Sequence, residues 1–98
     1  LYAIVGDDVP NSLERRLAAR PAHLAAVTEL DAAGRLALAG PCPAIDANDP
    51  GPAGFTGSVI IAEFPSLADA EAWAAADPYM TTGVFSRCTV KPFRKTLP

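Results

Sequence analysis

At 98 residues the chain has room for one domain with a small core. Half of those residues are hydrophobic, and in so short a chain that leaves apolar surface over, so an oligomer is expected. The formal net charge is −3, and Lys and Arg gather only at Arg15, Arg16 and Arg20 and again at Lys91, Arg94 and Lys95, which argues against nucleic acid as a partner because phosphates call for a basic face.

The opening Leu1-Tyr2-Ala3-Ile4-Val5 is apolar and reads as a first strand over 1–5, stopped by Gly6-Asp7-Asp8. It has no basic leader and no cleavage site, so it does not read as a signal peptide, and a removed or omitted initiating methionine explains its start. Residues 11–33 are rich in Ala, Leu, Glu and Arg, all strong helix formers, with Asn11 or Ser12 as the cap. Pro21 interrupts them. A proline inside a helix lacks a donor and clashes with the preceding turn, whereas at the first helical position it is tolerated. The expectation is a short helix over 12–19, a break at Arg20-Pro21, and a longer helix over 21–33 ended by Gly34. Residues 35–39 follow as a second strand, and 40–57 form a long loop dense in Pro, Gly, Asp and Asn.

Residues 58–64 read as a strand apolar on both faces. Ser66 caps a helix that runs to Ala76, with Asp69 at the capping-box position. Asp77-Pro78 closes that helix, Met80-Thr81-Thr82-Gly83 forms a loop, and the last strand lies within 82–93. No apolar run approaches the roughly 20 residues of a membrane-spanning helix. The order β, α, β, loop, β, α, β fits a ferredoxin-like α+β plan, with both helices on one face of an antiparallel sheet. The other face, apolar through residues 59–64, is expected to pack against a second copy in a homodimer.

His23 is the only histidine. If its helix begins at Pro21, it lies in the first turn, where the positive end of the helix dipole favours a neutral imidazole suited to general-base work. Helical spacing places it beside Arg16, Arg20, Val27 and Leu30 on or next to the inward face. A packed, hydrogen-bonded structural histidine is the alternative. Asp77 is its natural partner: a carboxylate at a helix C-terminus meets the unfavourable end of the dipole and needs something to hold it. A turn-forming Asp-Pro pair is the plainer account. Arg20 is costly to bury unpaired and must reach solvent, a carboxylate or an anionic ligand. Ser58 offers a hydroxyl without a nucleophile elbow, and Tyr79 can line a pocket.

Asp46, Asn48 and Asp49 lack calcium-loop spacing and read as turn formers. Cys42 and Cys88 have no CxxC partner, and His23 is not at ligand spacing to either, so the chain is expected to hold no metal. Two reduced thiols suit a cytoplasmic location. Nucleotide-binding glycine motifs are missing, and no cofactor is expected.

Several segments resemble the YciI-like family, nearly end to end and in order. They are Arg20-Pro21-Ala22-His23-Leu24, Gly34-Arg35-Leu36 with Ala39-Gly40-Pro41, and Gly54-Phe55-Thr56-Gly57-Ser58. Ala76-Asp77-Pro78-Tyr79 with Gly83-Val84 and Val90-Lys91-Pro92-Phe93 complete the set. The resemblance implies a dimeric ferredoxin-like α/β barrel. It also implies a histidine and an aspartate suspected of enzymatic work, which match His23 and Asp77. One branch of the wider family is associated with removal of HCl from a chlorinated hydroxyquinone, and the fold is akin to muconolactone isomerases.

The resulting expectation is a cofactor-independent enzyme acting on a small organic substrate by proton transfer, with elimination or isomerisation. His23 and Asp77 are its dyad. Arg20, Ser58, Tyr79, Gly40 and Pro41 are expected against the substrate. The alternative is a non-catalytic module that binds a small ligand or a partner.

Overall fold

The computed structural model describes residues 1–98. Its elements are β1 (Tyr2–Asp8), α1 (Leu13–Ala32), β2 (Leu36–Pro43), β3 (Phe55–Ala62), α2 (Leu67–Ala76), α3 (Pro78–Thr81) and β4 (Phe85–Pro92), with a 3-10 turn at Gly51–Ala53. The four strands form one sheet in the order β2-β3-β1-β4. All its neighbours are antiparallel. β1 and β2 therefore run the same way with β3 between them, and β3 and β4 run the same way with β1 between them. These two interleaved βαβ units are the ferredoxin-like α+β fold.

Strand alternation decides which side chains meet the helices. Ile4 pairs with Ile60 and Val90, and Tyr2 with Ala62, across the sheet. Ile4, Ile60 and Ala62 pack under Val27, Leu30 and Ala74 in the main core. Fully burying an Ile or Leu of this kind contributes about 1.5–3 kcal/mol. A second, smaller core joins Ala19, Tyr79, Val84 and Phe85, and this one abuts the site described below. The opposite face carries Ala3, Val5, Leu38, Val59 and Ile61 in register, with Val5 and Leu38 exposed.

The structure corrects several sequence expectations. Pro21 does not break the first helix: Leu13–Ala32 is continuous. Proline removes the N–H that would bond the Leu17 carbonyl, but Leu17 and Pro21 are both exposed, so water can serve that carbonyl. On the opposite side Arg16, Ala19, His23, Val27 and Leu30 form an unbroken buried stripe that holds both halves in line. His23 is therefore roughly three turns inside the helix, and the argument from a helix N-terminus does not apply to it.

The second strand runs past Ala39 to Pro43, and β3 begins already at Phe55. Pro41 and Pro43 fit because β2 is an edge strand, where a missing donor costs no ladder bond on the open side. β1 likewise continues through Gly6 to Asp8. Residues 78–81 are a helical turn instead of a loop, and β4 starts only at Phe85. Ser66 caps α2 as expected: its Oγ accepts the Asp69 N–H at 3.1 Å and donates to the Asp69 carboxylate at 2.9 Å.

Candidate functional site

α1 and α3 meet at one end of the sheet, and three of their side chains interlock. His23 Nδ1–H donates to Asp77 Oδ1 at 2.8 Å. The same oxygen accepts the Tyr79 N–H at 2.9 Å. Asp77 thus closes α2 and caps α3. At the start of α3 its charge faces the favourable end of a helix, which answers the objection raised by its place at the end of α2. Both side chains are buried, 9% and 2% exposed. The Tyr79 ring stacks on the imidazole, with centroids 3.9 Å apart and planes 8° apart.

An ionised carboxylate only accepts, so the proton of a neutral imidazole belongs on Nδ1. Nε2 has no partner in the chain, and no buried side-chain nitrogen or oxygen is left sealed without one. Nε2 consequently opens onto the cleft that His23 lines. This cleft, about 290 Å³, lies between α1 and the β2–β3 half of the sheet.

Arg20, His23, Ser58, Tyr79, Gly40 and Pro41 all line it, and Asp77 sits behind His23. The structure therefore brings the seven residues singled out in the sequence to one place. Arg20 is exposed at this cleft and makes no hydrogen bond or ion pair within the chain. Leu13, Leu17, Leu24 and Ile60 supply apolar wall. Asp49, in the loop after β2, accepts the Gly51 N–H at 3.1 Å in a local turn.

Sequence reasoning missed the cleft's other charged pair. Arg16 is 4% exposed. Its Nε and Nη2 donate to the two oxygens of Asp8 at 2.5 and 3.0 Å, and Nη2 also reaches the Gly57 carbonyl and Ser58 Oγ, each at 2.7 Å. The Asp8 side chain is 1% exposed and accepts in addition from Ser12 Oγ. The guanidinium lies over the rings of Tyr79 and Phe55, 4.8 and 5.3 Å from their centroids. Spacing did place Arg16 on the inward face of α1, one heptad before His23. That a charged residue falls on a buried stripe was the available signal, since it demands a carboxylate partner.

Burial raises the Tyr79 pKa above 10.0, with Asp77 adding to the rise and the positive charges of Arg16 and Arg20 opposing it. The phenol is a neutral donor at physiological pH. Burial, then Asp77 and Asp7, also raise the pKa of the Cys88 thiol, which keeps it protonated and poorly nucleophilic.

A ferredoxin-like α+β chain with an oriented histidine opening onto a partly apolar cleft is the class that fold and site define. The profile of the YCII-related domain matches residues 1–94, and the chain belongs to that family. Proteins called YciI from Escherichia coli O6:H1 and Shigella flexneri are each 59% identical over 95 residues, covering 97% of either chain. An uncharacterized protein from Haemophilus influenzae is 53% identical over 94 residues, 96% of both. Among solved structures, the 5-chloro-2-hydroxyhydroquinone dehydrochlorinase TftG from Burkholderia phenoliruptrix, in complex with 2,5-dihydroxybenzoquinone, superimposes with a TM-score of 0.83. Its sequence is 27% identical, and the match covers 95% of this chain and 92% of that one. No helix is long and apolar enough to cross a membrane.

Proposed function

We propose that the cleft is the active site of a cofactor-independent enzyme that moves a proton on a small, oxygenated, planar organic substrate. The carrying observation is the buried 2.8 Å contact between His23 Nδ1 and Asp77 Oδ1, which leaves Nε2 facing the cleft. Nε2 takes a proton from the carbon acid, and Asp77 holds the ring in place and stabilises the imidazolium that forms. The ring then returns the proton to another carbon, giving isomerisation. Alternatively a leaving group departs with its electron pair, giving elimination. Arg20, Ser58, Tyr79, Gly40 and Pro41 position the substrate. The likeness to a dehydrochlorinase supports elimination from a halogenated hydroxyquinol.

The whole of 1–98 acts as one domain in this reading, in the cytoplasm, where both free cysteines stay reduced. The apolar sheet face of Ala3, Val5, Leu38, Val59 and Ile61 docks on its own copy about a two-fold axis.

The test compares wild type with His23→Ala. Thermal shift against 2,5-dihydroxybenzoquinone, phenols, lactones and carboxylic acids reports binding, and chloride release from 5-chloro-2-hydroxyhydroquinone reports turnover. The expected result is a stabilised, active wild type and a folded, dimeric, inactive variant. Turnover surviving in His23→Ala would refute the dyad. Stabilisation of neither protein by any compound would favour a partner-binding module.

A further inference from the structure

The helix side of β2 is left unfilled. Ala39 pairs with Ile60, and Ile60 with Ile4, both of which lie in the main core beneath the helices. Alternation turns Ala39, and Pro41 two residues on, toward that same side. Both are nevertheless exposed, because a methyl group and a pyrrolidine ring are too short to reach α1. β2 is an edge strand, so no further strand closes the gap.

Across the gap α1 presents leucines. Leu13, Leu17 and Leu24 recur at helical spacing and all line the cleft. Leu17 is 62% exposed and Leu24 40%. A single exposed leucine needs no explanation. Three that converge with Ala39 and Pro41 over the buried Ile60 make an apolar slot. Arg20 stands between Leu17 and Leu24 on the helix and is exposed; an arginine stem covers apolar surface while its head stays in water, so its charge belongs to the rim. The slot is continuous with the space onto which His23 opens. It lies on the side of the sheet away from Val59 and Ile61, so self-association through that other face leaves it free. The whole cleft, about 290 Å³, approaches the size of those that hold drug-sized ligands, about 300–1,000 Å³, which is room for more than one oxygenated ring.

We propose that the slot between Leu17 and Leu24 of α1 and Ala39 of β2 takes a hydrocarbon substituent of the substrate, and that Ala39 sets the length it accepts. The substrate class is an oxygenated ring bearing an alkyl chain of a few carbons, with the ring against His23 and the chain against the leucines. This deepens the proton-transfer reading and rests on it for the placement of the ring. A chain in the slot takes its own apolar surface and that of the leucines out of water together. The contact is the same before and during the reaction, so it lowers KM and leaves kcat to the dyad.

The probes are 2,5-dihydroxybenzoquinone and its 3-methyl, 3-ethyl and 3-propyl derivatives, titrated calorimetrically into the full chain. In wild type the Kd should fall about fourfold per added carbon, or roughly 60-fold for propyl over the bare ring. Ala39→Leu adds three carbons on the strand and fills the slot from within, so the propyl advantage should vanish in a protein at least as stable as wild type. Leu17→Ser removes the outer wall at an exposed position and should cut the advantage several-fold. His23→Asn should keep the advantage whether or not it loses turnover, so failure of the base and failure of the slot are read separately. Sedimentation velocity should give one oligomeric state for wild type, Ala39→Leu and Leu17→Ser.

A propyl advantage untouched in both folded slot variants would overturn the proposal. So would a changed oligomeric state in either, which would hand the slot to a second copy of the chain. Equal affinity of wild type for all the rings would overturn the slot and leave the ring site standing, and no ring bound at all would overturn both.

Discussion

Asp77 carries two loads on a single oxygen, so two substitutions should separate them. In Asp77→Ala, α3 loses its N-cap and the His23 Nδ1–H loses its acceptor. A lost cap costs about 1 kcal/mol, and a buried donor left without a partner costs about 1–3 kcal/mol, so the variant should be about 2–4 kcal/mol less stable than wild type. At a urea slope of about 1–3 kcal/mol per molar, the unfolding midpoint should fall by roughly 1 M or more. Asp77→Asn keeps an amide oxygen that can accept from both Tyr79 N–H and His23 Nδ1–H, and asparagine caps helices as well as aspartate does. Its midpoint should move far less. The negative charge that stabilises the imidazolium is gone in both variants, so turnover should collapse in both. Long-range nitrogen-15 NMR correlations of the imidazole should show Nδ1 protonated in wild type. A midpoint in Asp77→Ala equal to that of wild type, or full turnover in Asp77→Asn, would refute the assignment of both roles to this carboxylate.

Asp8→Ala strands the Arg16 guanidinium in the interior and should cost about 3–5 kcal/mol, whereas pairing it with Arg16→Met should recover much of that loss; equal urea midpoints for single and double variants would contradict the ion-pair account. Pro21→Ala restores the donor for the Leu17 carbonyl in an exposed stretch of α1 and should raise stability by about 1–3 kcal/mol, read as a higher thermal midpoint. Tyr79 binds its proton more tightly folded than unfolded. Its contribution is thus complete below pH 10.0, the unfolded value, and is lost as pH climbs from there toward the raised folded value. Alkaline unfolding should accordingly shift to higher pH in Tyr79→Phe relative to its own neutral-pH stability, and the late-titrating tyrosinate absorbance should vanish with it.

What could be seen in the chain was whatever is written locally. A short run apolar on both faces over 58–64 marks an interior strand, the Ser66–Asp69 spacing marks the start of α2, and Gly34, at φ 70°, marks the end of α1. His23 and Asp77 stood out through scarcity and position. Pro21 misled because local propensity cannot weigh a buried stripe from Arg16 to Leu30 that ties the two half-helices to the sheet. Pro41 and Pro43 misled because edge position is a property of the sheet and not of the segment. The Arg16–Asp8 fork joins β1 to α1 across a chain reversal, and its further bonds reach β3, so only the assembled fold makes the charge on that stripe intelligible. The second load on Asp77 was hidden for a similar reason, since the short α3 it caps is too brief to leave a periodic pattern.

The two cores give the molecule a built-in division of optical labour. Trp73, the only tryptophan, packs on the main core with its ring 5.9 Å from that of Phe64, and it does not line the cleft. Tyr79 belongs to the smaller core and forms part of the cleft wall. Tryptophan emission should therefore follow global unfolding, while tyrosine ultraviolet difference spectra follow occupancy of the cleft. One unlabelled sample can then show whether a substitution has emptied the cleft or melted the protein.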